Sequence, residues 1–168
     1  MNIYPKRYIP KHLSLKDKTL QLQNLNKSRK LYKKGKYYTR PKVKTFRSKP
    51  SKHVENAKET YKIDSITPSK KLVKVTKCSM DTLEKIANKG RGAYYSSGSR
   101  PNQSAESWAI ARLASAITGG NSSIVDYHLL EKGCKKGSKA LKLAKKTCKK
   151  QNKCKNKTRK NITFQKKI

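Results

Sequence analysis

An excess of positive charge sets the first limit on how this chain can fold. Its 168 residues include 44 Lys and Arg against 9 Asp and Glu, a formal net charge of +35. Apolar residues make up 33% of the chain, whereas a globular domain is normally close to half apolar. This composition cannot supply one hydrophobic core along the whole chain. We therefore expect one small folded unit with long polycationic flanks.

The charge is concentrated at the two ends of the chain. Residues 1–77 hold 23 basic and 4 acidic residues, residues 78–133 hold 6 and 5, and residues 134–168 hold 15 and none. A lysine-rich codon bias would raise the charge evenly and would not spare the middle. Two cationic flanks predict a polyanion-binding protein, and nucleic acid gains affinity for such chains by releasing counterions. The expected partner is DNA, bound without sequence preference, with capsid or core proteins as further partners.

Hydrophobic spacing and capping residues predict a mainly α fold. A first helix is predicted over 15–34, capped by Ser14, with Leu15, Leu22 and Leu25 on one face. Further helices are predicted over 52–62, after Ser69, from Met80, from Asn102 or Ser104 to 118, from Ser123 to 132 and after Ser138. The glycines and serines of 90–99 predict an irregular loop, with backbone N–H groups that an anion could contact.

The same pattern predicts a small helical domain with long basic, partly disordered flanks. Residues 1–68 are expected to be a basic arm with one or two helices and an extended aromatic stretch. Residues 69–148 are expected to be the helical core, and 149–168 a disordered Lys-rich tail. The residues predicted for the core are Leu83, Ile86, Trp108, Ile110, Leu113, Ile117, Leu129 and Leu141.

Basic and aromatic residues alternate in the stretch 34–53, which Pro41 and Pro50 keep extended. Lysines beside aromatics suit phosphate contact combined with base stacking. An equally supported interpretation is that these aromatics dock the arm onto its own domain or a neighbour. The residues predicted to contact a polyanion are Lys33, Lys34, Lys36, Tyr37, Tyr38, Arg40, Arg47, Arg91, Arg100, Lys145, Lys146, Lys149 and Lys150.

No arrangement of residues predicts catalysis, a cofactor or a metal site. The sequence lacks Gly-x-Ser-x-Gly, and its three histidines lie in separate segments, so we expect a non-enzymatic protein. The four cysteines form no Cys-x-x-Cys pair, and we expect free thiols. Zinc ligation with His128 and a disulfide such as Cys148–Cys154 are the alternatives. No apolar run reaches the roughly 18 residues of a membrane span, and the N-terminus lacks the apolar region of a secretory signal.

Residues 72–86 have the spacing of a helix-turn-helix motif. Such a motif would present Met80, Asp81 and Lys85 to the major groove of DNA. Val73 and Lys77 stand where the motif has a small residue and a glycine. An ordinary helical hairpin is the competing interpretation.

Most of residues 27–146 resemble one uncharacterised domain family of large DNA viruses of algae and amoebae and of some tailed phages. The resemblance rests on 27–40, 78–120, 125–135 and 138–146. Its most specific part is Gly-x-Tyr-Tyr-Ser-Ser-Gly-Ser-Arg-Pro-Asn-Gln at 92–103, followed by Ser-x-x-Ser-Trp-x-x-Ala-Arg-Leu-x-Ser. The resemblance implies a viral protein and assigns no activity.

These observations together give three expectations about function. The first is a basic virion protein that binds genomic DNA or the capsid interior through electrostatic contacts. It would be located in the virion and, during assembly, in the host cytoplasm or viral factory. The alternatives are a minor capsid or cement protein that docks on acidic capsid surfaces, and a helix-turn-helix regulator of the virus.

Overall fold

Eight α-helices make up most of the computed structural model, which describes residues 3–153. After a 3-10 turn at Lys6–Tyr8, the helices are α1 Leu15–Lys33, α2 Lys52–Tyr61, α3 Lys70–Thr76, α4 Met80–Ser97, α5 Ala105–Ile117, α6 Asn121–Val125, α7 Tyr127–Gly133 and α8 Lys139–Lys150. Among the described residues the only β-type backbone pairing is an isolated antiparallel bridge between Cys78 and Cys134. The predicted mainly α fold is confirmed. The predicted tail overlaps α8 as far as Lys150, and its residues 154–168 lie outside the described part of the chain.

Serine caps fix where several helices begin. The side chains of Ser14, Ser69, Ser104 and Ser138 each accept a hydrogen bond from the backbone N–H three residues later. Each bond satisfies one of the donors that the first turn of a helix leaves unpaired. These four helix starts are those that the sequence predicts.

Helices α4 and α5 cross at the centre of the molecule. Gly90 lies at the crossing, where an added Cβ would be 2.7 Å from the Cα of Ala109. A larger residue at position 90 would therefore push the two helices apart. The predicted loop over 90–99 is wrong up to Ser97, where α4 ends, because Gly90 serves close helix packing and not a turn.

The hydrophobic core draws on both sides of the predicted boundary at residue 68. Ala57 and Tyr61 of α2, with Ile63 and Ile66 after it, pack in the same buried cluster as residues of α4, α5 and α8. Residues 1–68 are therefore not a separate arm within the described structure. Their last third completes the core.

Most of the predicted core residues lie inside. Leu83, Ile86, Leu113, Ile117 and Leu141 are buried. Ile110 and Leu129 are partly buried and pack against the core from its edge.

Trp108 differs from the prediction. It is half-buried, and its ring meets Tyr8 edge-on at 6.4 Å. The indole therefore packs against the N-terminal segment and is not fully buried.

Asp126 is the buried centre of an ion cluster. Its carboxylate accepts hydrogen bonds from Lys89 Nζ at 2.9 Å and from Arg112 Nε at 2.8 Å. The single helix predicted from Ser123 to 132 is wrong, because the Ser123 hydroxyl donates to the Gly120 carbonyl inside α6 and Asp126 separates α6 from α7. The aspartate instead connects α4 and α5 to this junction.

The cysteine prediction also needs correction. Cys78 and Cys134 form a disulfide that joins the turn before α4 to the end of α7. Both are buried, so the expectation of free thiols is wrong for this pair. The expectation is wrong for Cys148 as well, which is disulfide-bonded, while Cys154, its suggested partner, lies outside the described residues.

Candidate nucleic-acid interface

Helix α1 buries a polar face. Four of its five buried residues are polar, namely Asp17, Gln21, Asn24 and Ser28, whereas Leu15 and Leu22 are exposed. The leucine face predicted from the sequence is therefore wrong, since only Leu25 of the three faces inward. Gln21, Ser28 and Asp17 instead hydrogen-bond the backbone of two segments outside the α-helices, 3–13 and 36–49.

Arg40 anchors the second of these segments, which we call the basic arm (residues 36–49). Its side chain is buried, and the guanidinium lies 3.8 Å from the centre of the Tyr94 ring. One terminal nitrogen donates to Ser28 Oγ at 2.8 Å and to the Tyr94 carbonyl at 2.9 Å. The other donates to Ser99 Oγ at 2.8 Å. Burial lowers the pKa of Arg40, and the neighbouring tyrosines oppose that shift.

Arg40 is thus a structural residue and not a contact for an external polyanion, which corrects the sequence prediction. Its donors are directed at neutral oxygen atoms inside the protein. Such a fork of donors suits arginine and not lysine.

Two further contacts hold the arm beyond Arg40. The Asn102 side chain accepts from Val43 N at 2.7 Å and donates to the carbonyls of Val43 and Phe46. Asp17 Oδ2 accepts from the backbone and hydroxyl of Thr45 at 2.8 and 2.6 Å. The arm is therefore held on both sides of Arg40's downstream turn at 44–45, by Asn102 and by Asp17.

The most specific motif of the sequence, 92–103, is the receptor for this arm. Tyr94, Ser99 and Asn102 supply the bonds described above. Gly98 has φ +92°, and a Cβ there would lie 2.7 Å from a methyl carbon of Leu25. The motif therefore serves the docking of the arm, in agreement with one of the two interpretations drawn from the sequence.

The arm nevertheless presents a row of cations to solvent. Its exposed basic residues are Lys36, Lys42, Lys44, Arg47 and Lys49. Lys33 and Lys34, at the end of α1, are exposed beside them. We call these seven residues the arm surface.

Three tyrosines lie next to the arm surface. Tyr37 is 65% exposed, and its ring centre is 5.0 Å from that of Tyr95. Tyr32 stacks on Tyr95 at an interplanar angle of 11°. Burial, with Tyr37 nearby, raises the pKa of the Tyr32 hydroxyl, so this hydroxyl stays neutral at physiological pH.

Tyr38 has a different role from its neighbour. Its hydroxyl donates to Asn24 Oδ1 at 3.0 Å, and Lys27 Nζ lies 4.5 Å from its ring centre. Its ring is already covered by a cation and its hydroxyl docks on α1. This is a correction to its predicted contact with a polyanion.

A second basic surface lies on α8, away from the arm surface in sequence. The buried face of this helix is Ala140, Leu141, Ala144 and Cys148. Its exposed lysines repeat at the spacing of one helix face: Lys142, Lys145, Lys146, Lys149 and Lys150. We call these five residues the α8 surface. The helix packs on α5, α6 and α7, whereas α1 packs on α4, so the two surfaces rest on different parts of the core.

Two arginines predicted to contact a polyanion, Arg91 and Arg100, differ in their surroundings. Arg91 is held by Glu106 through two hydrogen bonds, of 2.5 and 3.0 Å. The pair raises the pKa of Arg91 and lowers that of Glu106. Because a carboxylate occupies its guanidinium, Arg91 does not join either surface as predicted. Arg100, which is part of the motif at 92–103, is exposed and belongs to neither of the two surfaces as defined.

The helix-turn-helix region has the predicted helices but not a free recognition helix. α4 packs against α1, α3, α5 and α7, so most of its length is enclosed. At its exposed start, Lys85 pairs with Asp81 at 2.7 Å, and Glu84 is exposed. Carboxylates at this position oppose the approach of a phosphate backbone.

A model of a family of unknown function, DUF5824, matches residues 5–126. The chain belongs to this family. The match includes the arm, its receptor motif and the tyrosines, whereas α7 and α8 follow after it. No curated protein and no solved structure matches the chain.

No group of three or more His, Cys, Asp or Glu within residues 3–153 is arranged to hold a metal ion. No helix in this range combines the length and the apolar character that a bilayer crossing requires.

Proposed function

We propose that this chain is a non-enzymatic nucleic-acid-binding protein that neutralises DNA phosphates through the arm surface and the α8 surface. The observation that carries the proposal is that, within residues 3–153, no cation of either surface forms an ion pair with a carboxylate. Within residues 3–153, the ion pairs use other cations: Lys71–Asp64, Lys85–Asp81, Lys89–Asp126, Arg91–Glu106 and Arg112–Asp126. The lysines of both surfaces therefore keep their charge available for an external polyanion.

The spacing of the α8 lysines supports backbone contact. Residues i, i+3, i+4, i+7 and i+8 share one face of a helix and follow it for about 12 Å at 1.5 Å per residue. Phosphates along one DNA strand are separated by distances of the same order. Like charges held this close repel one another, and an anionic ligand removes that repulsion.

The chemistry of the two surfaces favours binding without sequence preference. Both consist mainly of lysine, which contacts phosphate as a point charge. Reading of base edges depends on bidentate donors such as the arginine fork, and the most rigid arginine of this region, Arg40, is enclosed. We therefore infer that phosphate contacts, and not base contacts, provide the affinity.

The test is the salt dependence of binding to random-sequence duplex DNA. With both surfaces engaged, log K should fall against log salt with a slope on the order of −10. Replacing Lys145, Lys146, Lys149 and Lys150 by Gln should flatten that slope by about 3 to 4, at about 0.9 per phosphate contact. A shallow slope for the native chain, or strong discrimination between duplex sequences, would contradict the proposal.

A matched control uses the exposed lysines of and beside α3. Replacing Lys70, Lys71, Lys74 and Lys77 by Gln removes the same net charge outside both surfaces. The slope should then change much less than in the α8 variant. Equal changes in the two variants would show that only total charge matters and that the two surfaces have no special role.

The resemblance to a domain family of large DNA viruses extends this proposal to packaging. We propose that the chain is carried in the virion with the genome. Neutralising a genome requires many copies, so quantitative mass spectrometry of purified virions should find thousands per particle. A few copies per particle, remaining with emptied capsids, would instead favour a minor capsid protein.

A further inference from the structure

The exposed ring of Tyr37 is held in place by the chain around it. Gly35, with φ +72°, ends α1, and the N–H groups of Gly35 and Lys36 donate to the carbonyls of Tyr32 and Leu31, both at 2.9 Å. This pair of bonds is the glycine-based helix end that reverses the chain direction. The reversal returns Tyr37 to the side of α4 that carries Tyr95.

The Tyr37 ring packs against two tyrosines on one side and faces solvent on the other. Tyr95 and Tyr32 lie 5.0 and 6.1 Å from Tyr37, centre to centre, yet 65% of Tyr37 remains exposed. Tyr38, the next residue, has its ring covered by Lys27 and its hydroxyl bound to α1. Of the two adjacent tyrosines, only Tyr37 thus offers a supported aromatic surface to solvent.

The electrostatic surroundings indicate what would lie on that surface. Lys33, Lys34 and Lys36 are exposed on both sides of the turn. A flat, neutral group attached to an anion would satisfy both the ring and the lysines. A nucleobase with its phosphates has this chemistry, but the base must be unpaired to expose its face.

We propose that Tyr37, supported by Tyr32 and Tyr95, is a stacking site for an unpaired base of single-stranded nucleic acid. The inference rests on the proposed function, because the lysines of the arm surface would hold the phosphates beside the stacked base. The stacking site adds a preference for nucleic acid with unpaired bases, which phosphate contact alone does not give.

The experiment compares two probes of equal charge by fluorescence anisotropy. One is a labelled 15-nucleotide oligothymidine, and the other is the same backbone with abasic sites at every position. Tyr37→Ala should weaken oligothymidine binding about 5- to 150-fold, the range for losing one aromatic platform. It should leave binding to the abasic backbone within about twofold, because the lysines are unchanged.

Two variants serve as controls. Tyr37→Phe keeps the ring and should bind oligothymidine like the native chain. Tyr4→Ala removes another tyrosine beside α1, whose hydroxyl donates to Asn26 at 2.9 Å, and should have no effect on either probe. Circular dichroism should show unchanged folding in both Tyr37 variants, since Tyr37 is mostly exposed, and the Tyr4→Ala control is used only if its spectrum is also unchanged.

The outcomes separate the two proposals. A native chain that binds neither probe at low salt would overturn the proposed function itself. A native chain that binds both probes, with Tyr37→Ala weakening neither or both equally, would overturn only the stacking site. The second result would show that Tyr37 has no base-binding role and that the lysines alone provide the affinity.

Discussion

Helices α1 and α8 are both rich in lysine and both lie on the outside of the molecule, yet they bury opposite kinds of residue. α8 buries Ala140, Leu141 and Ala144 and exposes its lysines. α1 buries mainly polar side chains and exposes Leu15 and Leu22. The difference shows that the partner decides which face of a helix is buried. α8 meets an apolar core, whereas α1 meets segments outside the α-helices, whose backbone groups need hydrogen-bond partners.

Two different forces therefore stabilise the two regions. Around α8, burial of apolar area is non-directional and tolerates small shifts. Between α1 and the arm, the contacts are hydrogen bonds that weaken steeply with distance and angle. Changes in the apolar region should lower global stability, whereas changes in the polar region should release the arm locally.

The largest expected effect concerns the apolar region and its disulfide. Cys78 and Cys134 are 56 residues apart, and closing a loop of that length contributes about 4 kcal/mol through the unfolded state. Cys78→Ala/Cys134→Ala should lower the free energy of unfolding by about that amount in urea denaturation. Tyr37 and the arm surface do not contact the bridge, so DNA affinity of the folded variant should be unchanged. Unaltered stability would show that the bridge adds nothing to this region.

The next effect distinguishes two leucines of α1 that the sequence places on one face. Leu25 is 1% exposed and Leu22 is 37% exposed. Leu25→Ala should cost about 2–5 kcal/mol as a core truncation, whereas Leu22→Ala should stay within about 0.5 kcal/mol. Urea denaturation of both variants measures the difference. Equal losses would restore the leucine face that the sequence predicts.

Arg40 gives a smaller and more local effect. Arg40→Ala removes a charged donor from Ser28, Ser99 and the Tyr94 carbonyl, at a cost of about 1.5–3 kcal/mol. We expect the arm to detach while the core stays folded, so trypsin should cleave at Lys42 and Lys44 before it cleaves α5. Arg40→Lys should behave similarly, because an ammonium cannot reproduce the fork. Simultaneous loss of the arm and the core would contradict this division into two regions.

The sequence predicts those parts of the fold in which local pattern and burial agree. Leu113 and Ile117 of α5 and Leu141 of α8 follow the helical period and are buried. The serine caps were predictable because each satisfies donors of its own helix. The hydrophobic period and the serine caps are both local signals, and tertiary contacts do not override them here.

Long-range polar contacts could not be predicted in the same way. Arg40 stands among exposed basic residues, and no local pattern distinguishes it from Arg47. Its burial depends on Ser99 and Tyr94, more than 50 residues away. Gly90 likewise lies in a stretch rich in glycine and serine, which is typical of a loop. Only the close approach of α5 explains why a glycine is needed there. The motif at 92–103 did single out the right residues, although its role as a receptor for the arm required the structure.

The smallest effect concerns the contact between Asp17 and Thr45, and it depends on pH. Hydrogen bonds from the Thr45 hydroxyl and backbone hold the pKa of Asp17 below its ordinary value of 3.8. Because the folded pKa is lowered, this contact stabilises the arm above pH 3.8 and loses its effect as the pH falls through the folded value. The Asp17 carboxyl carbon and the Thr45 amide should therefore titrate together in an NMR experiment, with a midpoint below 3.8. Thr45→Val removes the hydroxyl and keeps the amide, so the Asp17 midpoint should move upward without reaching that of an unfolded chain. A native midpoint at or above 3.8 would show that Thr45 does not hold the carboxylate and that the arm depends on Arg40 and Asn102 alone.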